Sequence, residues 1–447
     1  MTRVVLELND QALRLYDENG LQLSSPGYVV ITGKDAQFGQ QAAEQSRLHP
    51  TQTNNEFWHR LGMEPLARPL AHFRHYADVA HAHLMDVAAQ SNYHGPVILA
   101  VPGSYDRQQL AILSGVLKHS PFQPQALVDA GLLAALGQMT GVDGLVYVDI
   151  QLHQMTLTLL RRVDGQWLRE AVQSVQSAGW HNLSNALVQV INDAFIAQCR
   201  FNPQHNASWE QHLYNELPTV LIQIKAGAHT ATVSIDTGVD AGKARHEARV
   251  DREELVAELE PVYRKVSHQL QTLAASAVPV LLSERAALIP GLGAWLGSDE
   301  VAVSSEQMAQ AGLALDLDAV PTTGQVPYVT RLAAGRRLSA HDSGARSAAN
   351  TAREDLPTHL LVGHQARRLQ GVRWLVPGDS GPGLQAEPSP QALCEIQQSA
   401  DGVTVLPVPG AEVRLNGAAL TARHAVRTGD TLTVNSVTAQ FIQVERA

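Results

Sequence analysis

Cysteine is nearly absent from this sequence, which has only Cys199 and Cys394 among its 447 residues. A disulfide framework needs several pairs, and a zinc site built on cysteines needs several thiolates. The sequence therefore excludes both kinds of small, cross-linked domain. Scarce cysteine is also typical of proteins in a reducing compartment, and we expect a cytoplasmic location.

Long apolar runs and an excess of basic residues are missing as well. No run of about 18 apolar residues occurs, so no membrane-spanning helix is predicted. Residues 1–10 have an early charge and only a short apolar run, which predicts no signal peptide. The net charge of −10 gives no support for a nucleic-acid-binding surface.

The chain is long enough for two to four domains of roughly 100–200 residues. Its hydrophobic patterning predicts lobe I at residues 1–144, lobe II at 145–316, a flexible linker at 317–356 and an all-β domain at 357–447. The linker has little apolar periodicity and several arginines. The last segment has short alternating stretches separated by turn signals such as Asn416-Gly417, which are typical of a small β-domain.

An internal repeat relates VVLELNDQALRLYDENGLQL (4–23) to LVYVDIQLHQMTLTLLRRVDGQWL (145–168). Each copy has an apolar strand, a short polar turn, a second strand, a glycine turn and a third strand. A predicted helix follows each copy, at 37–49 and at 182–199. A duplicated hairpin-and-helix unit indicates a two-lobed α/β fold, with a ligand site in the cleft where the two polar turns meet.

Apolar spacing predicts further elements between and after the copies. The predicted elements are a strand at 96–105, helices at 106–120, 124–139, 251–275 and 304–315, a hairpin at 219–238, and a strand followed by a short helix at 278–297.

These segments, in this order, resemble the nucleotide-binding domain of DnaK-type heat-shock chaperones, which belong to the actin-like ATPase superfamily. The resemblance covers residues 1–315, or about 70% of the chain. It implies an actin-like fold with ATP and Mg²⁺ between the lobes. The similar segments are 24–62, ILAVPGSYDRQQLAILSGVLK (98–118), VDAGLLAALG (128–137), the helix containing LEPV (250–266) and the strand with its Ile-Pro helix (280–296).

The resemblance also shows what has been replaced. In the family, glycine- and threonine-rich turns let backbone N–H groups approach the phosphates closely. Here the first turn is Asn9-Asp10-Gln11 and the second is 150–154, and neither contains glycine. His59 falls near the position of the family's active-site lysine. By resemblance, the cleft positions are Asn9, Asp10, His59, Asp129, Asp149, Gly179, Ser283 and Glu284.

These replacements predict a degenerate nucleotide site. Asp10 and Glu284 would repel phosphate, at about 1–4 kcal/mol for each like-charge contact near 4 Å. We therefore expect no cofactor, no catalysis, and a role as a DnaK-like scaffold or adaptor with protein partners. An atypical ATP- and Mg²⁺-dependent chaperone, and an actin-like cytoskeletal or secretion-system component, remain alternatives. The sequence leaves the oligomeric state open.

Residues 370–445 resemble a forkhead-associated domain, best over EVRLNGAALTARHAVRTGDTLTV (412–434). That family binds phosphothreonine through an arginine and a serine. The corresponding stretches here are Pro377-Gly378-Asp379 and 388–391, and an aspartate in place of the arginine would repel phosphate. Arg373 or Arg423 would have to substitute. We therefore expect a structural or protein-docking β-module.

Four histidines, His72, His75, His81 and His83, fall in one predicted helix. No cysteine or acid completes a metal site with them, so they are expected to face solvent.

Overall fold

The computed structural model describes residues 3–33, 35–70, 73–136, 142–237, 245–274, 278–298, 302–317 and 326–333, together with residue 357 and short segments between 359 and 442. The chain divides into two compact units, residues 1–337 and 338–447. Each unit is described by itself.

The first unit is mixed α/β. The elements in its first part are β1 (Val5–Glu7), β2 (Leu13–Asp17), β3 (Gly20–Ser25), β4 (Val29–Thr32), β5 (Asp35–Phe38), α1 (Gly39–Ala43), β6 (Thr53–Asn54), β7 (Pro65–Leu70), β8 (Phe73–His75), α2 (Tyr76–Ser91), β9 (Gly95–Val101), α3 (Arg107–Lys118), β10 (Phe122–Asp129) and α4 (Ala130–Ala135).

The elements that follow in the same unit are β11 (Gly144–Ile150), β12 (Gln154–Val163), β13 (Gln166–Gln176), α5 (Trp180–Cys199), a 3₁₀ turn (Pro203–His205), α6 (Ala207–Lys225), β14 (Thr230–Asp236), β15 (Arg245–Asp251), α7 (Arg252–Leu273), β16 (Val280–Ser283), a 3₁₀ turn (Ala286–Leu288), α8 (Leu292–Leu296), β17 (Ala302–Val303), α9 (Ser305–Leu313), β18 (Tyr328–Val329) and β19 (Arg331–Ala333).

Two six-stranded sheets form the frame of this unit. The first sheet has the order β18-β10-β9-β1-β2-β3, and the second has the order β17-β16-β11-β12-β13-β19. In each, three consecutive strands form an antiparallel meander, and two later strands add in parallel beside its first strand. The repeat seen in the sequence therefore corresponds to five strands with the same connectivity in each sheet. The sixth strands differ, because β18 adds beside β10 and β19 adds beside β13.

Helices lie outside and between these sheets. Helices α2 and α3 cover one face of the first sheet, α5 and α7 cover one face of the second, and α6 packs against α5 and β14. Helix α4 lies between the sheets: Leu133 packs with Val5 of the first sheet, whereas Leu132 packs with Tyr147 of the second. Helix α9 packs on the first sheet through Met308. The two predicted lobes thus share a buried centre.

The structure confirms the helices predicted at 106–120, 251–275 and 304–315, but the helix predicted at 124–139 is wrong over most of its described length. Residues 122–129 form β10, and only Ala130–Ala135 is helical. Strand β10 pairs in parallel with both β9 and β18, and Ala126, Leu127 and Val128 are buried. A strand buried on both faces has no alternation, so its apolar run resembles a helix. Likewise, only Gly39–Ala43 of the predicted 37–49 helix is α-helical.

The hairpin predicted at 219–238 is also wrong. Residues 219–225 are the last turns of α6, and β14 pairs instead with β15. Val220, Leu221 and Ile224 are buried on one side of α6 at helical spacing. The run of β-branched residues in this segment favoured a strand, and packing against the core overrides that preference.

Residues 328–333 fall within the predicted flexible linker, yet they form two strands of the first unit. Strand β18 pairs in parallel with β10 of the first sheet, and β19 pairs antiparallel with β13 of the second. We call Tyr328–Ala333 the bridging segment, because it joins the edges of the two sheets.

His83 is buried, so the prediction that it faces solvent is wrong. Trp58 Nε1 donates a hydrogen bond to His83 Nδ1 at 3.0 Å, and Phe38 stacks on the ring. An indole can only donate, so Nδ1 has no proton and Nε2–H donates to Ser25 Oγ at 2.8 Å. Burial lowers the pKa of His83 to about 3. His72 lies outside the described residues.

The second unit is all-β in its described part. Its strands pair antiparallel into two sheets, β21-β20-β30-β29-β26-β27 and β23-β22-β24-β25-β28, which share one apolar cluster that includes Leu360, Ile396 and Phe441. The strands are β20 (His359–Val362), β21 (Gln365–Arg368), β22 (Val372–Val376), β23 (Gly383–Gln385), β24 (Cys394–Ser399), β25 (Gly402–Pro407), β26 (Val413–Leu415), β27 (Ala418–Ala419), β28 (His424–Val426), β29 (Thr431–Val434) and β30 (Val437–Ile442).

Candidate functional site: the junction of two polar turns

The polar turns after β1 and β11 bind each other directly. Asn9 Nδ2 donates to Asp149 Oδ2 at 2.9 Å and to the carbonyl oxygen of Ile150 at 3.0 Å. The backbone N–H of Leu152 donates to Asp10 Oδ1 at 2.6 Å. Asn9, Asp10 and Asp149 are buried. We call this contact the turn junction, and it brings together three of the eight positions singled out in the sequence.

Burial disfavours the ionised form of the two carboxyl groups at the turn junction, those of Asp10 and Asp149. Burial raises the pKa of Asp10 to about 6, although the hydrogen bond from Leu152 opposes the shift. Burial also raises the pKa of Asp149, opposed by the charge of Arg285 and by hydrogen bonds from Ser283 and Asn9. Ser283, another predicted position, thus belongs to the same cluster.

Gly179 packs directly against the backbone of the second turn. It precedes α5, whose first N–H groups, on Trp180 and His181, donate to the carbonyl oxygens of Gln151 and Leu152 at 2.8 Å. A Cβ at position 179 would lie 2.3 Å from the backbone nitrogen of Gln154. The close approach of two backbone segments therefore explains this glycine, and the turn uses the donors at the start of α5.

The Gly179→Ala variant is expected to lose about 1–3 kcal/mol of unfolding free energy, because the new methyl group overlaps backbone that must move. Gly115→Ala is the matched control, since Gly115 lies within α3 and a Cβ there meets nothing within 4 Å. It should gain about 0.5–1 kcal/mol from helix propensity. Urea unfolding measures both. A Gly179→Ala protein as stable as the parent would contradict the contact.

A buried ion pair joins the sheets beside the turn junction. Arg285, which follows β16, binds Glu7 of β1 through Nη1 and Nη2, the two terminal nitrogens of its guanidinium, with Nη2 at 3.1 Å from Oε2. Both side chains are only 4% exposed. Arg285 Nη2 also donates to the carbonyl oxygen of Ala12 at 3.2 Å. The guanidinium thus holds the first hairpin from the side of the second sheet.

The carboxylate of Glu284 also has hydrogen-bonding partners within the protein. Its carboxylate pairs with Arg14 and accepts from the backbone N–H of Ser305 at 3.2 Å. Burial opposes ionisation, but Arg14 and Ser305 hold the pKa of Glu284 below its ordinary value. The two acids predicted to repel phosphate, Asp10 and Glu284, are therefore bound within the protein.

A second set of contacts joins Arg47, which follows α1, to helices α5 and α6. The guanidinium of Arg47 lies 3.8 Å from the centre of the Tyr214 ring and donates to Asn185 Oδ1 at 2.6 Å. Gln211 Oε1 accepts from the backbone N–H of Arg47 at 2.8 Å. A cavity of about 790 Å³ is lined by residues of these contacts and by Gln11, Leu152 and Arg285.

His59 is not part of the turn junction and instead lines a cavity of about 690 Å³. Its ring centre is 5.2 Å from that of His153, which is 5.5 Å from His181. Burial, and then the neighbouring His153, lower the pKa of His59 and of His181 to about 4. The described residues contain no group of three or more His, Cys, Asp or Glu side chains arranged to hold a metal ion.

Asp129 is separate from the turn junction. Its Oδ1 accepts from the backbone N–H of Gly131 at the start of α4, and its Oδ2 lies 3.2 Å from Arg169 Nη1. Arg169 Nη1 also donates to the hydroxyl of Tyr328 at 2.6 Å. Asp129 therefore begins a helix and ties the bridging segment to both sheets.

The sequence did not predict Arg14, Arg47 and Arg285 as residues of the site. Arg285 adjoins the predicted pair Ser283-Glu284, and two charges inside the apolar stretch VPVLLSERAALIP were the available signal. The residues next to Arg285 in the sequence do not identify Glu7 as its partner. Arg47 and Arg14 gave no distinguishing pattern.

Comparison with known proteins finds no matching family model and no match among curated proteins. Among the helices in the described ranges, none is both long and apolar enough to cross a membrane.

Proposed function

We propose that this protein is a non-catalytic scaffold or adaptor with a degenerate actin-like, DnaK-related domain whose two polar turns stay in contact without nucleotide. One observation carries the proposal: the two turns that would cradle phosphate instead bind each other. Asn9 donates to the Asp149 carboxylate and the Ile150 carbonyl oxygen, and the backbone N–H of Leu152 donates to Asp10. Backbone donors that are already bound within the protein are not available to a phosphate.

The connectivity of the first unit supports this assignment. Two sheets with five strands in the same order, joined at equivalent turns, are what a duplicated actin-like fold requires. The position of Arg285 supports the proposal that the nucleotide site is degenerate, because its guanidinium is a fixed positive charge bound to Glu7 and near Asp149. A fixed cation on these acids competes with a bound Mg²⁺. We expect cytoplasmic protein partners.

The second unit fits a forkhead-associated-like docking module without phosphate recognition. Arg423, one possible phosphate ligand, donates to Gln397 Oε1 at 2.6 Å and to Thr404 Oγ1 at 3.1 Å, and pairs with Glu395 at 3.1 Å. A guanidinium with three partners is poorly placed to bind phosphothreonine. Asp379 and the side chain of Arg373 lie outside the described residues.

Calorimetric titration with MgATP and MgADP tests the proposal. We expect no saturable heat with ligand up to about 1 mM, which corresponds to a binding free energy weaker than about −4 kcal/mol. Phosphate release should equal that of a protein-free blank. Near-UV circular dichroism of the same sample confirms that the protein is folded. Saturable binding with a micromolar dissociation constant would refute the degenerate nucleotide site and favour the atypical chaperone.

A further inference from the structure

Strands β14 and β15 form a separate two-stranded sheet on the first unit, so within the described residues each strand has one edge without a strand partner. The end of α5 covers the edge of β15. Gln198 Oε1 accepts from the backbone N–H of Arg249 at 2.9 Å, and Gln198 Nε2 donates to the carbonyl oxygen of Arg249 at 2.7 Å. Cys199 Sγ donates to the carbonyl oxygen of Glu247 at 2.9 Å. Another strand can add at this edge only by displacing these side chains.

The contacts of Gln198 also show which way the backbone groups of β14 point. Arg249 lies opposite Thr232 in the antiparallel register, and its N–H and carbonyl groups point away from β14, toward Gln198. The two residues therefore form a non-hydrogen-bonded pair, in which the backbone groups of both residues point outward. The N–H and carbonyl groups of Thr232 thus lie at the outer edge of β14. The alternation along a strand turns those of Thr230 and Ser234 outward as well.

The edge of β14 is open over the stretch Thr230-Ala231-Thr232. At Ser234, His212 Nε2 is hydrogen-bonded to the outward carbonyl oxygen at 3.0 Å. Thr230 and Thr232 are exposed, and no hydrogen bond within the described part of the chain reaches their outward backbone groups. Charges, prolines and bulges usually prevent strands from adding at an edge, and the open stretch has none of them. It is therefore able to pair with another strand.

We propose that this edge pairs antiparallel with the same edge of a second copy of the chain. The sequence Thr-Ala-Thr is the same in both directions, so it can pair with itself about a two-fold axis. An axis through Ala231 places Thr230 opposite Thr232 of the second copy, and Thr232 opposite Thr230 of the second copy. In this register all four open backbone groups of each copy form hydrogen bonds. Ser234 is not needed, so His212 keeps its contact.

The side chains of the open stretch are also complementary to themselves. Two threonines meet on the exposed side, which is a favourable cross-strand pair. On the buried side Ala231 meets Ala231, and a small side chain suits the closer spacing of a non-hydrogen-bonded pair. The charged side chain of β14, Asp236, lies beyond the paired stretch, so like charges do not meet. An unrelated strand would have to supply the same match, whereas every second copy of the chain supplies it.

Sedimentation equilibrium of the full chain measures the dimer. The contact is small, so we expect a dissociation constant on the order of 100 µM. Thr232→Pro removes an outward N–H that is not part of the ladder with β15, and it should weaken the dimer at least about tenfold. Thr232→Val keeps the N–H and the branched shape, and its dissociation constant should stay within about threefold of the parent. Circular dichroism checks that each variant is folded.

Disulfide cross-linking tests the register. A mixture of Thr230→Cys and Thr232→Cys chains brings the two cysteines opposite each other, with Cα atoms about 5.5 Å apart, which a disulfide can span. Two Thr232→Cys chains place theirs diagonally, about 7–8 Å apart, which is too far. The mixture should therefore cross-link at least about tenfold faster than either variant alone. The parent chain, with Cys199 and Cys394, gives the background rate.

Three results would overturn the proposal. The first is a parent chain that stays monomeric up to about 1 mM. The second is a folded Thr232→Pro variant that dimerises as well as the parent. The third is a mixture of the two cysteine variants that cross-links no faster than each variant alone.

Discussion

Replacing Arg285 by methionine is expected to lower the free energy of unfolding by about 3–5 kcal/mol, because the buried carboxylate of Glu7 loses its partner. Both side chains are 4% exposed, so water cannot replace the guanidinium without a change in structure. The same substitution removes the hydrogen bond to the carbonyl oxygen of Ala12 at the first hairpin. Urea unfolding, followed by tryptophan fluorescence, measures the loss.

Two further variants separate the charge from the packing. The double variant Glu7→Leu/Arg285→Met removes both charges and should recover most of the lost stability, since an apolar pair of similar volume is tolerated where a lone charge is not. Arg285→Lys keeps the charge but loses the paired geometry and should lie between the two. An Arg285→Met protein within about 1 kcal/mol of the parent would show that the ion pair is not structural.

The unfolding free energy should decrease as the pH falls below about 6.5, with His83 as a principal cause. The folded ring stays neutral down to about pH 3, whereas the unfolded ring binds a proton near its ordinary value of 6.5. Between these values the unfolded state binds more protons, so stability rises with pH by about 1.4 kcal/mol per unit for this one group. The total is on the order of 5 kcal/mol across the window.

His83→Gln isolates this contribution. Glutamine does not titrate and can still accept from Trp58, so the variant is less stable near neutral pH but loses less on acidification. The difference between the two stability curves should shrink by about 1.4 kcal/mol per unit between pH 6 and pH 4. Parallel curves would show that His83 has an ordinary pKa. Asp10 acts in the opposite direction, because its raised pKa removes stability as the pH rises through about 6.

Local sequence pattern predicts the two polar turns, but the contacts that the turns make depend on the tertiary structure. The turn after β1 was predicted because two alternating apolar strands flank Asn9-Asp10-Gln11. That Asn9 reaches Asp149, 140 residues away, is a property of the assembled sheets. Turn-forming residues have many local uses, so the sequence could show a missing glycine but not the hydrogen bonds made instead.

The errors have the same origin. Strand β10 resembles a helix in sequence because both of its faces are buried, with Leu127 in one apolar cluster and Ala126 and Val128 in another, which removes the alternation that marks a strand. His83 was predicted at the surface because the buried partners that satisfy it, Trp58 and Ser25, lie 25 and 58 residues away. Burial of a polar side chain becomes visible only when its partners are known.

The bridging segment limits how the two sheets can move. It joins them at β18, which lies three strands from β1 in the first sheet, or about 14 Å from the turn junction at the usual strand spacing. Two bodies held at one point can rotate in any direction, but two bodies held at separated points can rotate only about the line between them. Hinge opening in any other direction must first break strand pairing at Tyr328–Ala333. The first unit can therefore open only by rotation about the line that joins the turn junction to the bridging segment.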